Sequence, residues 1–140
     1  MDKNYKNQEK RIELVFPETY KDISRRMETI AIYREYLEKN LKFPVKLTGI
    51  EDFDWEEFYV MGPGDVNEYN ELKKTNPSFT DIYNLNQIGE ADEYYGILAA
   101  LTRVSDKKRF TLPLADLTAI DQRTKNYQLI DDYAVWFWNY

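Results

Sequence analysis

Apolar positions recur at helical spacing in two stretches of the chain. Tyr20, Ile23, Met27, Ile30, Leu37 and Leu41 step along one face at intervals of three, four and seven, and only Arg34 interrupts them. The spacing predicts a helix over 19–40. Thr19 with Asp22 approximates a capping box at its start, and Phe43-Pro44 stops it, because the residue before a proline avoids helical geometry. Near the other end, Tyr127, Ile130, Tyr133, Ala134, Phe137 and Trp138 form a wide apolar face behind a capping residue, Thr124. This predicts a helix over 124–139, with Tyr133, Phe137 and at least one of Trp136 and Trp138 in the core.

Between these stretches the pattern changes to strands. Residues 45–50 alternate apolar and polar positions, and 79–88 reads as a strand followed by an acidic loop at 89–92. Residues 94–104 (YYGILAALTRV) are apolar on both faces, as a central strand requires. Residues 105–108 form a turn too short for a crossover, so 109–113 returns antiparallel. A tight corner at 114–117 and a short strand at 118–120 follow. Asp65 caps a short helix over 65–74, after the Gly62-Pro63-Gly64 turn. Residues 11–16 are expected as a short edge strand closed by Pro17, and 1–10 as a flexible polar tail. The fold class expected is α+β: a small, mainly antiparallel twisted sheet or partly closed barrel, flanked by an N-terminal and a C-terminal helix. The 140 residues fit a single domain.

Composition narrows the chemistry. There is no His and no Cys. That removes thiol and imidazole nucleophiles and bases, and the soft ligands that zinc, copper and haem use. Oxygen donors remain, and they suit hard cations. The net charge of −6 argues against nucleic acid and anionic membrane surfaces as partners, since both select for Lys and Arg. The start of the chain has no leader-like apolar stretch and no run approaches a membrane span, so a cytoplasmic protein is expected. No glycine-rich phosphate loop occurs.

Carboxylates cluster in three places: Glu51, Asp52, Asp54, Glu56 and Glu57; then Glu90, Asp92 and Glu93; then Asp121 with Asp131 and Asp132. The first run opens like an EF-hand loop, but Glu57 stands where glycine is needed and Pro63 where the closing glutamate is needed. Any calcium site therefore lies outside an EF-hand. The glycine-started loop carrying Glu90, Asp92 and Glu93 is the preferred metal site, because loop carbonyls add to its three acids. Asp121, at the end of a return connection, is placed on the same rim. Asp131 and Asp132, on the exposed side of the last helix, are a second and weaker pair.

Three segments together resemble one known family. Residues 34–46 (REYLEKNLKFPVK) resemble the opening helix and strand of the small bacterial calcium-binding proteins first recognised in cyanobacteria, the CcbP-like family. Residues 110–121 (FTLPLADLTAID) are similar to its strand and corner, and 128–140 (QLIDDYAVWFWNY) to its acidic pair and aromatic last helix. The resemblance covers 33–53 and 79–140, with the acidic loop at Glu90–Glu93 between the motifs and residues 54–78 as an insertion. It implies a compact sheet or barrel with flanking helices, calcium as the ligand, and no catalytic role. The alternative is a protein-interaction module on the same fold without metal binding, with another protein as partner.

Overall fold

The computed structural model describes residues 3–140; part of the expected flexible tail, residues 1 and 2, lies outside them. From residue 3 the tail region is helical: α1 spans Lys3–Glu13, so the edge strand expected over 11–16 is instead the last turn of a helix and the turns beyond it. Nothing in its own polar sequence predicts this helix. It is held by docking: Ile12 is buried in the core, and Gln8 and Arg11 bind the last helix.

The next helix, α2 (Met27–Asn40), begins a full two turns later than periodicity predicts. Tyr20 and Ile23 do pack on the core, but from an irregular segment. Asp22 accepts the backbone N–H of Ser24 at 3.0 Å, a local turn that competes with helix. The Ile23 carbonyl is taken by the Trp136 indole N–H at 2.8 Å. The N-cap is Arg26, and Thr29 in the first turn reaches back to it: its hydroxyl oxygen accepts from Arg26 N at 3.0 Å and donates to the Ser24 carbonyl at 2.7 Å. Arg34, the residue that interrupts the apolar face, reaches across to β2 (Tyr83–Asp92). Its guanidinium donates to the Gly89 carbonyl at 2.6 Å, where the ladder between β2 and its neighbour slips register.

The sheet is open, five-stranded and wholly antiparallel, in the order β4-β3-β2-β1-β5. β1 is Val45–Gly49, β3 Gly96–Arg103, β4 Arg109–Pro113 and β5 Leu117–Ala119. β2 starts and ends four residues later than expected, so Gly89–Asp92 belong to the strand and the loop shrinks to three residues. The two edge strands, β4 and β5, are joined only by a 3-10 turn, Leu114–Asp116. Five flat strands would set their edges about 19 Å apart, whereas four residues reach about 14 Å at most. The sheet must therefore curl; α5 (Lys125–Asn139) packs on β5 and the Leu114–Asp116 corner, and α2 on β2 and β3.

The packing of α5 follows its sequence closely. Thr124 Oγ1 accepts from Tyr127 N at 3.1 Å, the predicted cap. Ile130, Tyr133, Trp136 and Phe137 are buried, while Trp138 stays exposed. The Tyr133 hydroxyl accepts the buried Ile97 N–H at 2.8 Å, bonding α5 directly to the start of β3. Gly96 has φ +75°, and an added Cβ would overlap the Phe137 ring and the Tyr133 hydroxyl, so only glycine fits beneath the helix. Among the described residues no helix is long and apolar enough to cross a membrane.

Candidate functional site: an acidic cleft at the open corner of the sheet

After β1 the chain turns outward with a dense run of acids. Gly49 N donates to the Phe79 carbonyl and Ile50 N to the Asp116 carbonyl, both at 3.0 Å. These two bonds lay residues 51–54 beside the corner that links β4 to β5. Glu51, Asp52 and Asp54 thus face Asp116 across a cleft of about 390 Å³, with Trp138 as a wall. A second hollow of about 340 Å³ adjoins it and shares Asp54, Asp116 and Trp138; Glu93, Tyr94, Tyr95 and Arg25 complete its lining. The Trp138 indole is fixed by donation to the Ala115 carbonyl at 3.3 Å.

Asp116 is half-buried, and its carboxyl is raised above the ordinary aspartate range. Burial is the larger cause, and the nearby charges of Asp54 and Glu51 add to it. The cleft therefore stores like-charge repulsion that a cation would relieve. Arg25 lies at one edge, but its guanidinium is committed elsewhere: it donates to the Phe137 carbonyl at 3.0 Å and sits 4.5 Å over the Phe137 ring.

A fully buried carboxylate anchors this acidic run. Glu56 accepts from Phe79 N at 2.8 Å, from the Ser78 and Tyr69 hydroxyls at 2.6 Å each, and from Phe53 N at 3.3 Å. Four donors offset the cost of burying its charge. Because Asp54 is two residues away, the same contacts fix its backbone at the lip of the cleft.

The sequence-predicted residues fare differently from one another. Glu90 is exposed on β2, and Asp92 closes the hairpin by accepting from Tyr94 N at 2.8 Å and Tyr95 N at 2.7 Å. Glu93, exposed at the hairpin tip, is the member of that trio brought to Asp54 and Asp116. Asp121 is exposed and bonded to Arg123 at 3.1 Å, which holds its carboxyl below the ordinary range. Asp132 is not on the exposed side of α5. It is buried beneath α1, gripped by Arg11 at 2.8 and 2.9 Å, while Gln8 bridges Asp131 and Asp132 at 3.0 Å to each. Asp116 stands outside all three acidic clusters of the sequence. Its signal was an acid set in an apolar corner, LPLADL, where a buried carboxylate needs a reason. Among the described residues no three acidic side chains already converge on one point.

A family model described as calcium binding, of the CcbP type, matches residues 66–137, just over half of the chain. The fold is similar to the crystal structure of Anabaena CcbP, with a TM-score of 0.57 over 95% of this chain and 89% of that one, at 17% identity. No curated protein matches the chain.

Proposed function

This chain belongs to the CcbP calcium-binding family, and from that premise we propose that it binds calcium through clustered carboxylates outside any EF-hand, in a binding rather than a catalytic role. The residues proposed to hold the ion are Asp54 and Asp116, with Glu51, Asp52 and Glu93 at the rim of the cleft. One observation carries this choice: Asp116 is half-buried yet faces two other acids, and its proton affinity is raised as a result. The donor set is all oxygen, which fits a hard cation needing roughly 6–8 ligands from carboxylates, carbonyls and water. Magnesium fits less well, because its octahedral shell is strict and dehydrates reluctantly, while the rim acids are exposed and adaptable. Asp92, Asp121 and Asp132 are engaged in capping and ion pairing, and this supports the cleft over the sites they were expected to form.

The raised carboxyl sets the pH dependence. An acid raised on folding binds its proton more tightly folded than unfolded, so without metal this group's contribution to stability falls as pH rises through the window between the two values. Calcium competes with that proton, so its affinity rises with pH across the same window. The test is calorimetric titration with calcium and magnesium on the parent, Asp54→Asn and Asp116→Asn. Calcium is expected to bind the parent and raise its melting temperature by mass action. Asp116→Asn is expected to melt higher than the parent without calcium, and to lose affinity by about tenfold or more, since ligand charge tunes such sites. Equal calcium binding by all three proteins moves the ion elsewhere, and no calcium-dependent melting shift at millimolar calcium overturns the function.

A further inference from the structure

We propose that α3 (Glu57–Met61) and α4 (Val66–Leu72) form a docking surface for a basic amphipathic helix of a partner protein. The proposal is independent of calcium and rests on a different face of the molecule. Neither helix buries a single residue. Phe58, Val60, Met61 and Val66 are 56%, 45%, 77% and 68% exposed, the largest run of exposed apolar side chains in so short a stretch among the described residues. Phe58 and Met61 are three apart and share one side of α3. The Gly62-Pro63-Gly64 turn folds back so that an added Cβ on Gly64, two residues before Val66, would lie 3.0 Å from the Phe58 ring.

The surface is rigid from below. Trp55, Tyr59 and Tyr69 form a ring cluster, with Tyr59 and Tyr69 stacked at 5.3 Å and 6°. The Tyr59 hydroxyl donates to Glu68 at 2.8 Å and the Tyr69 hydroxyl to Glu56 at 2.6 Å. A surface already ordered when free loses little entropy on binding. Exposed apolar residues on a preordered platform mark an interaction site more than a folding defect.

Charge says what covers it. Around the patch, α3, α4 and the turn between them carry Glu57, Asp65, Glu68 and Glu71 and no Lys or Arg; Glu71 pairs with Lys74, and the nearest other cation in sequence, Lys73, lies over the Tyr69 ring at 4.3 Å. Among the described residues, no basic side chain forms an ion pair with Glu57, Asp65 or Glu68 around the patch. A second copy of this chain would bring the same acids face to face, and an anionic bilayer would be repelled. An occupant with apolar anchors on one helix face, flanked by Lys and Arg, satisfies both features at once.

The experiment uses the full chain in chelator and a synthetic 18-residue helix with a leucine face and a lysine face, followed by fluorescence anisotropy at two salt concentrations. Binding is expected, weakened at least tenfold by Phe58→Ser with Met61→Ser and by Glu57→Gln with Glu68→Gln, and reduced by salt. Leu14→Ser, on an exposed site beyond α1, is the control and is expected to bind as the parent does. Circular dichroism of all variants should match the parent, since every side chain changed is exposed. No binding, equal binding by all variants, or equal binding of a peptide with glutamate in place of lysine overturns the proposal. So does concentration-dependent dimerisation, by sedimentation, that the Phe58→Ser, Met61→Ser variant abolishes.

Discussion

Helix α5 and the pair α3–α4 are attached to the same sheet by opposite means. The first is held by apolar burial: Ile130, Tyr133, Trp136 and Phe137 each lose nearly all contact with water. The second is held by polar clamps at its two ends. Glu56 takes four donors before α3, and Arg103, 3% exposed, binds the Lys73, Lys74 and Asn76 carbonyls after α4 at 2.8–3.0 Å. Arg103 is held in turn by Asp81 and Asp106 at 3.0 and 2.7 Å. Apolar burial is strong but consumes the surface it uses. Polar clamping fixes the backbone while leaving the side chains between the clamps free for other contacts. The region held by burial is scaffold, and the region held by clamps is presented outward.

Substitutions can break or sharpen that contrast. Phe137→Ala, in the scaffold, is expected to cost about 3–5 kcal/mol of global stability in denaturant unfolding. A loss below about 1 kcal/mol would mean the aromatic face of α5 is not what closes the core. Glu56→Gln keeps the shape of the clamp and removes its charge, at an expected cost of about 1–3 kcal/mol. The change should appear first as faster amide exchange over 57–72, with the β2–β3 ladder unaffected. Uniformly faster exchange across the sheet would show that the segment is part of the scaffold after all. Met61→Ser, between the clamps, is expected to shift stability by no more than about 0.5 kcal/mol.

The same division explains what the sequence disclosed. α5 was legible because burial writes a period into the chain: Ile130, Tyr133 and Phe137 recur every three or four residues, and Thr124 marks the start. β3 was legible from its unbroken apolar run, and the antiparallel return from a connection too short for a crossover. α1 was hidden because its partners, Asp131 and Asp132, lie more than 120 positions away. α2 started late because Thr29 outcompeted Thr19, through a bond to Ser24 that no local motif announces. At the cleft, Glu93 and Asp54 each belong to an acidic cluster visible in the sequence. Asp116 does not, since only the curl of the sheet carries the LPLADL corner to Asp54 and Glu51. The CcbP resemblance named the family from three spaced motifs; the family match, residues 66–137, takes in the second and most of the third, leaves 34–46 outside, and begins within the stretch 54–78 expected as an insertion.

The two sheet edges have a consequence for how this molecule meets others. β5 is three residues long, and β4 is five, opening on Arg109 and closing on Pro113, which has no N–H to offer. Such edges are poor templates for a foreign strand. Accretion of copies edge to edge, the first step toward fibrous aggregates, finds no ladder long enough to extend. A chain that displays bare Phe, Met and Val side chains yet closes off strand addition can expose them in a crowded cell with less risk of templating its own precipitation.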